Sequence, residues 1–201
     1  MIKDRSRFDA AIAAFDAANA EDPNKEIVAG RALPKELVYA QRMSEMLDRF
    51  APDAPESVRL AVRAQHIQRW KTPRNSYPMD RQGYLQWRTG LYKFHADTAA
   101  RLMLEVGYDD ETIERVRTAV GKKGLKVNAE TQMLEDVTDL VFMEHYLEGF
   151  AAQHPDYDEA RWIEIIRKTW KKMSDQGRNF VLQGGIRLPD ALVPLIMKAV
   201  S

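Results

Sequence analysis

Apolar residues recur three and four positions apart along most of the chain, the period of helices that bury one face. Phe8, Ile12 and Phe15 set this spacing and predict a first helix over residues 6–19, ending near Asn19. AEDPNKEIVAGRALP reads as a loop by its Pro and Gly content. Pro34 then opens a second helix, PKELVYAQRMSEMLDRF, at the position where its missing N–H costs nothing. Leu37, Val38, Ala40, Met43, Met46, Leu47 and Phe50 form its apolar stripe. A third helix is expected over Glu56–Lys71, apolar at Val58, Leu60, Ala61, Val62, Ala64 and Ile67, and the two prolines of TPRNSYPMD interrupt the chain after it.

A long fourth helix over roughly 82–106 stops at Gly107, a natural C-terminal end. Asp109 or Asp110 caps a fifth, DETIERVRTAVGKK. The sixth, AETQMLEDVTDLVFMEHYLEGF, carries a stripe through Leu134, Val137, Leu140, Val141, Met143 and Tyr146. Residues 158–175 form a seventh, and NFVLQGG and PDALVPLIMKAV close the chain as short helical pieces. No alternation is long enough for a sheet, and there is no repeat or low-complexity tract. The expectation is an all-α, single-domain helical bundle over 1–201.

Composition narrows the chemistry. The 201 residues can bury a core without staples, and the absence of cysteine excludes disulfides, thiolate catalysis and Cys-type zinc sites. No apolar run reaches the ~18 residues of a membrane span, no signal-like core survives Asp9, Asp16 and Asp22, and a cytoplasmic protein is expected. A formal net charge of zero argues against general coating of nucleic acid.

Charge is nevertheless uneven. Arg59–Arg101 holds nine Lys/Arg against two acids, Asp80 and Asp97, together with His66, His95, Trp70, Trp87 and three tyrosines. Trp70, Arg74, Tyr77, Arg81 and Arg88 are the candidate substrate contacts. Guanidinium forks suit phosphate or carboxylate oxygens, and aromatic faces stack on a ring. Lys122, in GKKGLK, offers a second basic loop. Surface ion pairs with neighbouring helices are the competing role for these arginines, and a solvated turn for Lys122. No Gly-rich phosphate loop, nucleophile elbow or HExxH occurs.

Four further polar residues fall on or beside apolar stripes of separate predicted helices: Glu36, His66, His95 and Asp136, the last preceded by Glu135. Imidazoles and carboxylates turned inward from several helices are the material of a bundle-core metal site, suited to Mn, Fe, Co, Ni or Zn; an all-oxygen site suits Mg. The alternatives stay open. Either histidine suits a hydrogen-bonded core position, Glu36 suits a helix's first turn, and Asp136 needs some partner because an isolated buried charge is costly.

The order of these features is similar to the HD superfamily of helical metal-dependent phosphohydrolases, over roughly residues 34–145. Glu36 stands at the place of that pattern's first His, Gln65-His66-Ile67 at its His-Asp-apolar triplet, FHADTAARLMLEVGYDDETIERVRTAV at its middle helix, and Asp136 at its last Asp. The resemblance implies an HD-like core over 34–145 with C-terminal helices 157–200 packed on it. The favoured site is one divalent metal on His66, His95 and Asp136, with Glu36 as a further candidate ligand and Glu135 or Asp136 in the catalytic role. The paired His-Asp is absent as such, so the superfamily's metal site does not carry over intact. More closely, QHIQRW…PR…YP…R.GYL.WR with ELVYAQRM, LEDVTDLVF and IRKTWKKMS resembles a family known only as a domain of unknown function, across nearly the whole chain.

The expected function is therefore metal-dependent hydrolysis of a phosphate-containing small molecule or nucleotide. The alternatives are a non-catalytic nucleotide- or RNA-binding module, or an iron oxygenase on the same helices. A homo-oligomer is compatible with the sequence, and no membrane partner is expected.

Overall fold

The computed structural model describes residues 2–200; Met1 and Ser201, the ends of the expected 1–201 unit, lie outside them. Its residues group into two compact units, Met1–Leu134 and Glu135–Ser201. The boundary falls within one helix. The architecture is all-α apart from one two-stranded hairpin.

In the first unit, α1 (Arg5–Ala20) is capped by Asp4, whose carboxylate accepts from the Arg7 N–H. The stretch expected to be a loop contains β1 (Lys25–Val28) and β2 (Arg31–Pro34), paired antiparallel. Ala29 and Gly30 link them with φ of 48° and 77°, the positive pair that a type I′ turn requires. Four-residue strands with half-exposed faces leave too little alternation to be seen in sequence. Pro34 ends β2 and precedes α2 (Lys35–Phe50), but supplies no side-chain cap. Asp22, 1% exposed, does so from a distance: one oxygen accepts from the Glu36 N–H at 3.0 Å, the other from the Asn24 N–H and Nδ2 at 2.9 Å each. The first turn of α2, and Glu36 with it, is thus fixed from the far side of the hairpin.

The third helix is shorter than expected. α3 covers Glu56–Ala64, and the chain turns at 65–68 before a 3₁₀ turn, Arg69–Lys71. Gln68 takes the left-handed region, φ 53° and ψ 32°, and its N–H donates to Asn19 Oδ1 at 2.9 Å. A helix cannot continue through such a residue, so His66 lies in a turn rather than late in a helix. α4 (Arg81–Glu105) is capped by Asp80 and ends before Gly107, φ 85°. A Cβ on Gly83 would stand 2.1 Å from the Pro78 carbonyl oxygen, so the preceding loop closes directly on the α4 backbone. α5 (Asp110–Val120) is capped by Asp109. Phe15, Met43, Met46, Leu47, Leu60, Ile67, Leu91 and Met103 are fully buried where these helices meet, and complete burial of each such side chain stabilises by about 1.5–3 kcal/mol.

The boundary helix, α6 (Ala129–Val141), starts where Asn128 Oδ1 accepts from the Glu130 and Thr131 N–H groups. It continues through a π-helical stretch, Phe142–Tyr146, into α7 (Leu147–Gln153). The second unit adds α8 (Glu159–Lys172), α9 (Asp175–Leu182) and α10 (Val193–Val200), with α8 against α10. Phe150 sets its ring edge-on against Phe142, His154 and Trp162, knitting the short helices together.

A buried carboxyl and imidazole cluster

Three of the four expected metal-ligand candidates converge in the first unit. Glu36 comes from the first turn of α2, His66 from the turn after α3, and His95 from the middle of α4. His66 Nδ1 stands 3.5 Å from Glu36 Oε2, and the two imidazole centroids are 5.8 Å apart. Tyr39, one helical turn after Glu36, stacks on His66 at 4.2 Å with the rings 15° from parallel. Neither Tyr39 nor Arg69, whose charge acts on all three members, figured among the sequence candidates. The signals were Tyr39 three positions after Glu36 and Arg69 three after His66.

His95 is the most constrained member. It is 2% exposed, and its Nδ1 lies 2.8 Å from the Ile67 carbonyl oxygen. A carbonyl only accepts, so the proton is on Nδ1 and the Nε2 lone pair is left as an acceptor. That Nε2 is buried and receives no hydrogen bond from the protein. Burial, the neighbouring His66 and Arg69 push its proton affinity down to about 3, although the Ile67 bond and Glu36 work the other way. Burial also holds His66 well below its ordinary value, helped by the charges of Arg69, Lys122 and Lys35. Both imidazoles are therefore neutral at pH 7. Glu36 moves oppositely: burial, opposed by Arg69 and reinforced by Asp22, raises it to about 7. The His66–Glu36 approach is accordingly a contact between a neutral ring and a half-protonated acid, rather than a salt bridge.

Asp136 and Glu135 belong to the second unit, where both carboxylates have partners. Asp136, 2% exposed, accepts from the Ser174 N–H at 2.7 Å and from its hydroxyl at 2.6 Å. Ser174 is itself the cap of α9, so Asp136 fixes that helix's entry. Glu135 and Asp139 receive Lys172 Nζ at 3.1 and 2.9 Å. Burial alone would weaken the Lys172 charge, and the two acids outweigh it and raise the pKa.

The expected substrate contacts divide. Arg74 is engaged by the Tyr77 and Asp80 carbonyl oxygens, both at 3.2 Å, with its Cζ 6.0 Å over Tyr84. Arg88 binds the hydroxyls of Tyr92 and Tyr84 on its own helix. These two arginines brace the loop and α4 through oxygen atoms of the protein. Arg81 is exposed at the start of α4, and Trp70 and Tyr77 are half-buried. Lys122 is close enough to depress His66 and sits in the left-handed region, φ 56°.

The donors suit a divalent ion in kind. Two ligands at 2.0–2.2 Å on a tetrahedral ion stand about 3.4 Å apart, which the His66–Glu36 spacing matches. A histidine with Nδ1–H on a backbone carbonyl and an open Nε2 is the usual arrangement of a metal-binding imidazole. Nevertheless, among the described residues no three or more His, Asp or Glu side chains are closed on one point as a ligand set. His95, His66 and Glu36 would hold such an ion, with Asp136 occupied by Ser174.

A helical protein with a mixed carboxyl and imidazole cluster against the middle of its longest helix is the class these features define. The chain belongs to the family described as a domain of unknown function (DUF4202), whose model matches residues 9–196. No curated protein and no solved structure matches it. No described helix is long and apolar enough to cross a membrane.

Proposed function

We propose that the protein hydrolyses a phosphate-bearing small molecule or nucleotide, using a divalent ion held by His95, His66 and Glu36. The observation that carries this is His95 Nε2, a buried basic lone pair aimed by the Ile67 carbonyl and given no partner by the protein. A buried acceptor left unsatisfied costs about 1–3 kcal/mol, which a ligand at that atom would recover. The resemblance to the HD superfamily draws on the same three positions.

A bound divalent ion would supply polarisation of a phosphoryl oxygen and a water of lowered pKa. His95 needs no reorientation to offer its lone pair, and both histidines are already neutral at pH 7. Glu36 does: titrating near 7, it releases part of a proton as its carboxylate is captured. Tyr39 holds the His66 ring in plane, and the cations around the cluster favour an anionic substrate.

The test is metal content and calorimetric titration with zinc and manganese, followed by phosphate release from a panel of phosphomonoesters and nucleotides. Wild type should take up one ion per chain, with proton release near pH 7, and His95→Gln should lose both uptake and turnover. No uptake of either ion, or uptake unchanged in His95→Gln, would sink the proposal. A second reading, binding without hydrolysis, draws support from the absence of a closed three-ligand set. It requires ligand affinity to persist in EDTA with no turnover.

A further inference from the structure

Several of the arginines of the first unit have oxygen partners. Arg63 lies on Asp16 at 2.6 Å, Arg59 on Asp48 at 2.5 Å and Arg117 on Asp97 at 2.7 Å; Arg74 and Arg88 are braced as above. Arg69 differs. Among the described residues no carboxylate, carbonyl or hydroxyl oxygen accepts from its guanidinium, whose one described contact is the face of Trp87, 5.0 Å below.

Its position is nevertheless built. The Arg69 N–H donates to the His66 carbonyl at 3.0 Å, so its backbone is tied to one member of the cluster. The preceding residues are pinned on both sides, Gln68 N–H by Asn19 Oδ1 and the Ile67 carbonyl by His95. Trp87 is held too, its Nε1 donating to the Thr72 carbonyl at 2.8 Å. A non-glycine residue in the left-handed region, as Gln68 is, carries strain that persists only where its surroundings enforce it. Here the enforced turn delivers Arg69 beside His66. The Arg69 charge is felt by Glu36, His66 and His95 alike.

We infer that Arg69, held over the face of Trp87, is the phosphate-binding residue of this site, and that the ligand it selects is a phosphomonoester rather than a phosphodiester. The inference rests on the phosphate reading of the Glu36–His66–His95 cluster. A guanidinium fork engages two oxygens of one phosphate. A monoester offers three terminal oxygens and about two negative charges at neutral pH. With two oxygens on the fork, the third remains, with the second negative charge, in the field of Lys35 and Lys122. A diester has only two non-bridging oxygens and one charge, so the fork would leave none. The surrounding charge favours the same choice, because the cations Arg69, Lys35 and Lys122 all act on this cluster.

The experiment is calorimetric titration of the full chain in EDTA with phenyl phosphate and with diphenyl phosphate, for wild type, Arg69→Gln and Arg69→Lys. Wild type should bind the monoester and prefer it over the diester at least tenfold. Arg69→Gln should weaken monoester binding about tenfold to a hundredfold, the loss of charge-assisted hydrogen bonds. Arg69→Lys, which keeps the charge without the fork, should fall between and guards against a folding defect in the first variant. Monoester affinity unchanged in both variants, a diester preference, or no monoester binding by wild type would overturn the inference. Neither metal nor turnover is read here, so failure of the hydrolase proposal in its own assay remains separable from failure of this one.

Discussion

Replacing Glu36 by Gln isolates the energetics of the cluster. Glu36 is 8% exposed and its pKa is raised from 4.5 to about 7. Below the unfolded value both states hold the proton and the stability associated with it is fully present. As the pH rises towards 7 the unfolded chain releases its proton while the folded chain keeps it, so stability falls, and above 7 the loss is complete. A rise of that size corresponds to about 3 kcal/mol, at up to 1.36 kcal/mol per pH unit within the window. Glutamine has a similar shape and no proton to lose. Urea unfolding of wild type and Glu36→Gln in EDTA, from about pH 5 to about pH 8, should show the variant gaining about 2.5 kcal/mol relative to wild type across that range. Other titrating groups, common to both proteins, largely cancel in the difference. Saturating zinc should act oppositely on wild type, because an ion on the carboxylate favours its ionised form, and should leave the variant's pH profile unchanged. A wild-type-minus-variant difference that stays flat with pH would refute the claim that Glu36 is buried in a protonatable state, and with it the proton release expected on metal binding.

His95 gives the complementary acid limb. Its folded pKa is depressed to about 3, so the associated stability is present above 6.5 and lost as pH falls through that window. The loss should approach about 4–5 kcal/mol, and His95→Gln should move the acid-unfolding midpoint down when followed by circular dichroism. Asp136→Ala should cost roughly 2–3 kcal/mol in urea unfolding, because two short hydrogen bonds to Ser174 at the entry of α9 are lost. Zinc uptake by that variant should equal wild type's, whereas a ligand role for Asp136 would require it to fall.

Much of the helical framework is legible because burial by one face imposes its own period: Phe8–Ile12–Phe15 and the stripe of α2 sit where their spacing places them. The hairpin was not, since four residues per strand cannot display alternation. The end of α3 was hidden for another reason. Nothing within QHIQRWK breaks a helix; the break comes from Asn19, 49 positions earlier, capturing the Gln68 N–H. The candidate site was legible as residue types and only partly as a place. Glu36, His66 and His95 each stood out as polar groups on apolar helices, and their convergence depends on how α2, α3 and α4 pack. Asp136 was recognisable as an acid needing a partner, but Ser174 lies 38 residues on. Arginines are the least legible of all. In composition Arg69, Arg74 and Arg88 are alike, and only the fold decides which of them meets an oxygen.

The turn at 65–69 explains why the polar groups gather there rather than along α3. A helix carried on to Lys71 would hydrogen-bond the Ile67 carbonyl internally and leave His95 Nδ1–H without that acceptor. By stopping at Ala64, the chain frees the Ile67 carbonyl to orient His95, and the same reversal brings Arg69 against Trp87 of α4. Asn19 therefore governs the site without touching Glu36 or His95 in any described hydrogen bond. Its Oδ1 holds the strained Gln68 backbone in place, and Nδ2, fully buried, takes no part in another bond. A side chain that leaves one of its own donors unsatisfied to fix a left-handed residue elsewhere is poorly explained by stability alone. It is well explained if what the turn delivers, an aimed imidazole and an unpaired guanidinium, is what the protein uses.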